Sequence, residues 1–244
     1  NLLIAALIIM VLYYFVTGPV YRLAGVKEGN VGEMLSVPLQ QMARTYVYHY
    51  SELDKADCEL LEQYVPREDL GKYIPTVADG VKANFREEYY RNNKVAFWKI
   101  WMKWGMKFPA TYVSSFLINT ADYWYPKAII DGYNVGGDII SYSRYSVGAP
   151  GKRIEMLPQV YSLYKSMAEH RSFSEKPFVF LIFSPGWYLL LTLYLMATAF
   201  VKKQNEVMLA YVIVLLLVGT ALLGPIAQVR YVLILFYALP LFGA

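Results

Sequence analysis

One cysteine, Cys58, and two histidines, His49 and His170, are all that these 244 residues hold for disulfide or soft-metal chemistry. A lone thiol closes no bridge within the chain, so a disulfide scaffold is excluded. No H-E-x-x-H helix, paired Cys/His set or D-x-D pair occurs, so no metal site is expected in this part of the chain. The glycine-rich signatures of nucleotide binding and the G-x-S-x-G of serine hydrolases are missing too, and no cofactor is called for. No Asn-x-Ser/Thr acceptor is present; the nearest approach, Asn119-Thr120-Ala121, ends in alanine. Together with the lack of cysteine pairs, this suits a bacterial envelope protein.

Charge is the scarcest commodity over long stretches. The chain is 57% hydrophobic and 17% charged, against about 25% charged in an ordinary soluble domain. Residues 1–21, 178–201, 207–229 and 231–244 carry no charged side chain at all. The charge that exists is gathered between Lys27 and Lys176, where basic and acidic residues nearly balance, so the net charge of +4 gives no basic patch and nucleic acid is not an expected partner. This distribution predicts an all-α polytopic membrane protein with about four transmembrane spans: one over 1–24, then three within 178–244, the last cut short. Residues 25–177 form a mostly helical polar insert between them. The turn Lys202-Lys203-Gln204-Asn205-Glu206 reads as cytoplasmic by the positive-inside tendency, which puts the insert outside a bacterial cytoplasmic membrane. Because the chain opens inside an apolar run at Asn1 and stops within another, it reads as part of a longer polypeptide.

Within the insert, Ser36 as cap and Pro38 in the first turn predict a helix to about Tyr50, and Ser51 caps another over 52–64, ended by Pro66. Loops are expected over 67–80 and 134–151, and a short helix over 157–170. From Asn92 to Phe108, Phe97, Trp101, Trp104 and Phe108 share one arc at about 100° per residue, with Lys99, Lys103 and Lys107 opposite. That pattern fits an interfacial helix near 92–108 with its aromatic face in the lipid headgroups, and it equally fits a helix whose aromatic face packs on the rest of the insert. Pro109 ends it.

Two residue sets hold candidate chemistry. Glu33, Gln40, Gln41 and Arg44 place a carboxylate, two amides and a guanidinium within a dozen residues, a set suited to a sugar and a phosphate, or alternatively the solvated face of a capped helix. Arg230-Tyr231 stands at the end of an apolar stretch with no acid nearby in sequence, where the arginine either reaches for water or meets a lipid phosphate. His49 is expected on a polar helical face.

The run Gly32-Glu33-Met34-Leu35-Ser36-Val37-Pro38-Leu39-Gln40-Gln41-Met42-Ala43-Arg44 resembles a motif of an uncharacterised group of polytopic membrane proteins of Gram-positive bacteria. So do Phe116-Leu117-Ile118-Asn119-Thr120, Tyr123-Trp124-Tyr125-Pro126, Gly224-Pro225, Arg230-Tyr231 and Leu239-Pro240. That group is similar in architecture to the GT-C glycosyltransferases. The resemblance implies a membrane enzyme that transfers a sugar from a polyprenyl-phosphate donor to a glycan or glycolipid acceptor of the cell envelope. It implies Arg44 and Arg230 as phosphate ligands and Glu33, Gln40 and Gln41 as polar site lining, with an acidic base for which Glu33 is a candidate; Tyr231, beside Arg230, is a further substrate-binding candidate by its position. The alternative expectation is a non-catalytic membrane protein that binds or moves lipid-linked saccharides during envelope polysaccharide assembly. Membrane lipids are expected partners in either case.

Overall fold

The computed structural model describes residues 2–26, 29, 31–126, 157–160, 162, 178, 181 and 184–242. The loop expected over 134–151, and most of the helix over 157–170 and of the span's start after Phe178, lie outside them. The described residues are helical with no strand, apart from isolated bridges of Val77 with Ile74 and Ile226.

The chain divides into two units, residues 1–31 and 32–244. The first holds α1 (Leu2–Phe15), a π turn over Val16–Val20 that contains Pro19, and α2 (Tyr21–Leu23). The unit boundary falls after the first residue of α3 (Val31–Met34), and the second unit goes on with α4 (Ser36–His49), α5 (Lys55–Tyr64), α6 (Arg67–Leu70) and α7 (Asp79–Lys82). There follow α8 (Glu87–Asn92), α9 (Lys94–Lys107), α10 (Pro109–Trp124), α11 (Pro185–Val201), α12 (Asn205–Ala221) and α13 (Leu233–Phe242).

The expected spans are corrected here: among the described residues, no helix is long and apolar enough to cross a membrane. A hydrocarbon core of about 30 Å needs about 20 helical residues. The run at 2–23 is split by its π turn, where Pro19 has no N–H to give and displaces the regular ladder. In the run from 178, α11 is capped by the Ser184 hydroxyl, which accepts from the Trp187 N–H at 3.2 Å, and it has 17 residues. α12 also has 17 residues and begins beside Glu206, and α13 has only 10. An uncharged run in sequence is thus not an unbroken helix. Between α11 and α12 the chain reverses at Lys203, whose φ of 57° closes the turn in the left-handed region.

Helix α4 is the axle of the second unit. Leu39, Met42, Ala43 and Tyr46 are buried on one side, and Gln40, Gln41 and Thr45 are buried as well. Ser36 does not cap this helix as expected: it is the first helical residue, and its hydroxyl donates to the Glu33 carbonyl at 2.8 Å. The next cap also shifts, since Asp54 rather than Ser51 precedes α5. Helices α6, α7, α9 and α10 pack around α4. On α9 the aromatic face turns inward: Phe97, Ile100, Trp104 and Phe108 are buried, and the Phe97 ring meets Tyr64 and Tyr90 edge-on at 5.3 and 5.1 Å. Of the two readings of this helix, packing on the insert describes that face.

Pro109 opens α10 at its first turn, as a residue with no N–H and φ preset for a helix should. Its inward face carries Tyr112, Ser115, Asn119, Thr120 and Tyr123, spaced so that one side of the helix meets α4 and α11. A second apolar cluster gathers Tyr123, Val214, Val218, Ala227, Val232, Leu235 and Ala238. Gly186 lets α11 start against the end of α10: a Cβ there would stand 2.8 Å from the backbone carbons of Trp124 and Tyr125.

Candidate functional site

Two loops are stitched together beside α4. The Ala78 N–H donates to the Pro225 carbonyl at 2.8 Å, and Val77 bridges to Ile226. From α10, Tyr123 holds the second loop: its hydroxyl donates to the Ile226 carbonyl at 3.4 Å and accepts from the Gln228 N–H at 2.9 Å. Burial of this phenol, the main cause, pushes its pKa up to about 12. Asp69 braces the first loop. It accepts from Lys72 Nζ at 2.6 Å and from Asn84 Nδ2 at 2.9 Å, and the lysine in particular holds its carboxyl below the usual aspartate range.

Arg44 projects from α4 onto the first loop. Its Nη1 donates to the Tyr73 hydroxyl at 3.1 Å, while the guanidinium carbon lies 4.8 Å from the centre of the Tyr48 ring and 6.0 Å from that of Tyr73. Tyr48 follows Arg44 by one helical turn, so the arginine stands against a ring of its own helix and a ring brought in from the loop. The Tyr48 ring is itself exposed. Among the described residues no carboxylate lies within ion-pair distance of Arg44, and the group is half-buried. A guanidinium has five N–H donors in a planar fork, and one of them is engaged with the phenol. A half-buried cation with spare donors and two aromatic flanks can take a phosphate or a carboxylate.

The other candidates fare differently. Gln41 is a strut: its Oε1 accepts from Trp101 Nε1 at 2.8 Å and its Nε2 donates to the Tyr112 carbonyl at 3.3 Å, tying α4 to α9 and α10. Gln40 donates to the Ile74 carbonyl at 3.0 Å, while its buried Oε1 has no hydrogen-bond partner among the described residues. Glu33, exposed on α3, forms an ion pair with buried Lys82, which also meets Asp79 Oδ1 at 3.0 Å. Arg230 is exposed; its Nη2 donates to the Tyr231 hydroxyl at 2.9 Å, and its guanidinium lies over that ring at 4.9 Å. Gln40, Gln41 and Arg44 therefore share α4, whereas Arg230 and Tyr231 stand outside it, in the segment after the second loop. His49 ends α4 between Glu52, at 2.9 Å from Nδ1, and the Thr111 hydroxyl, at 3.0 Å from Nε2.

Sequence reasoning missed Tyr48 and Tyr73. Tyr48 was within reach of the i, i+4 rule; Tyr73 stands 29 residues from Arg44, and no local pattern announces it. Lys82, the partner that occupies Glu33, lies 49 residues from it and was likewise invisible.

Among the described residues these features define a class: an all-helical protein built around a polar central helix that carries a half-buried arginine. Residues 1–242 match a family of unknown function, DUF6020, and the chain belongs to that family. No curated protein matches it, and no solved structure does.

Proposed function

We propose that the protein binds a phosphate-bearing, lipid-linked saccharide, with Arg44 meeting the phosphate. The observation that carries this reading is the half-buried guanidinium that, among the described residues, has one phenol as its polar partner and no carboxylate beside it. A fork of spare N–H donors suits phosphate oxygens, and the open ring of Tyr48 beside it suits the face of a sugar. The likeness of the Pro38-Leu39-Gln40-Gln41-Met42-Ala43-Arg44 run to a motif of Gram-positive membrane proteins, and their architectural similarity to GT-C enzymes, supports a polyprenyl phosphate as the carrier and the envelope as the setting. Sugar transfer from such a donor needs a carboxylate free to take a proton from the acceptor hydroxyl. Glu33 is paired with Lys82, so its geometry favours binding over transfer.

The test is titration of the purified protein with a short-chain polyprenyl phosphate, with and without an attached sugar, and with inorganic phosphate. Arg44→Ala removes charge-assisted hydrogen bonds of about 1.5–3 kcal/mol, a loss of roughly ten- to a hundredfold in affinity, and Arg44→Lys restores only part of it. Tyr48→Ala weakens the glycosylated ligand more than the bare phosphate. Arg86→Ala, an exposed arginine bonded to the Glu62 and Gln63 carbonyls, leaves binding unchanged. Wild-type affinity in folded Arg44→Ala refutes the assignment, and sugar transfer to an added acceptor by the wild type restores the catalytic reading.

A further inference from the structure

With its aromatic face buried, α9 still presents a second apolar stripe. Val95, Trp98, Met102 and Met106 recur at i, i+3, i+7 and i+11 and are 68%, 39%, 53% and 71% exposed. At about 100° per residue they occupy an arc of about 80° on the side away from Phe97 and Trp104. The same wheel sets Lys94 just beyond Trp98 on one edge of the stripe and Lys99 just beyond Met106 on the other, and both lysines are exposed. The next lysines round are already engaged: Lys103 with Asp54 and Asp57, and Lys107 with the Glu52 carbonyl. Helix α9 carries four lysines and no acidic residue.

We infer that this stripe docks the protein on an anionic lipid surface, with α9 lying in the plane of the headgroups. Two methionines and a valine, edged by an indole, form an apolar face that enters the acyl boundary without needing polar partners. A lysine on each edge has a flexible stem long enough to reach lipid phosphates on either side. A second copy of α9 would set lysine rows against each other, whereas anionic headgroups neutralise them. This is a surface contact rather than a crossing, and it involves the face opposite to the one whose periodicity first attracts notice.

The experiment reports on the stripe alone, because other apolar segments could carry the protein to vesicles by themselves. An environment-sensitive fluorophore is attached to a Met106→Cys variant in a Cys58→Ala background, and for comparison to Glu59→Cys at an exposed position of α5. Vesicles of phosphatidylcholine, with and without phosphatidylglycerol, are added; polyprenyl phosphate is left out, so that phosphate capture at Arg44 does not enter. The expected result is a blue shift at position 106, quenched by shallow lipid-borne quenchers, only with phosphatidylglycerol present and with no change at position 59. Lys94→Gln and Lys99→Gln each weaken this response about fivefold. A position-106 label that ignores anionic vesicles sedimenting with the protein overturns the inference. So does energy transfer between labels at position 106 in lipid-free solution, which would make the stripe a contact between copies.

Discussion

Gln40 and Gln41 are chemically identical neighbours, and replacing each by leucine separates structural from uncommitted polarity. Gln41→Leu strands the Trp101 Nε1 donor, which bonds Gln41 Oε1 at 2.8 Å in a crowded contact of α4, α9 and α10. The Tyr112 carbonyl loses less, because it also sits within the helical ladder of α10. One lost hydrogen bond together with one orphaned donor costs about 2 kcal/mol. For a chain of this length that corresponds to a melting temperature lower by roughly 4–8 °C. Gln40→Leu removes one bond to the Ile74 carbonyl, but it also removes Oε1, a buried acceptor with no partner, and supplies apolar volume in its place. The gain and the loss nearly cancel, and the expected change is under about 1 kcal/mol. Thermal unfolding followed by circular dichroism in one detergent and buffer gives both shifts. The reasoning is refuted if Gln40→Leu costs as much as Gln41→Leu.

The start of α11 offers a steric test: Gly186→Ala puts a methyl group 2.8 Å from the backbone of Trp124 and Tyr125, so the fold must shift at a cost of about 1–3 kcal/mol, read as a lower denaturation midpoint. A midpoint equal to wild type would show that the junction gives freely. Asp69 offers a pH test. Its folded pKa is depressed by Lys72 and Asn84, so its stabilisation is present above the ordinary value of 3.8 and is lost as pH falls through the lower folded value. Asp69→Asn should be less stable than wild type at pH 7, and the gap should narrow as the pH falls below about 4. A gap constant from pH 7 to pH 3 would mean that the carboxylate's charge does not matter.

Local chemistry carried a good deal of this protein into view. Pro109 marks the boundary of α9 and α10 because proline tolerates a first helical turn and little else, and Pro38 likewise marked the first turn of α4, although Ser36 is its first helical residue rather than its cap. Helical periodicity likewise placed Phe97, Trp101 and Trp104 of α9 on one face. Other features needed the tertiary structure. Periodicity detects that a face is apolar but not what meets it, and α9 has two apolar faces; the rings of Tyr64 and Tyr90 decide which is core. The lack of charge over 178–201 and 207–229 signalled apolar surroundings, yet the Ser184 cap and the Lys203 reversal bound α11 at 17 residues. The Gln-Gln-x-x-Arg spacing put three polar groups on α4 without assigning them work. Partners from distant segments did so: Trp101 made Gln41 a strut, and Tyr73 gave Arg44 a phenol while leaving its remaining donors open. Sequence patterns act over about one turn of helix, whereas these contacts span 29 to 60 residues and exist only once packing has brought the elements together.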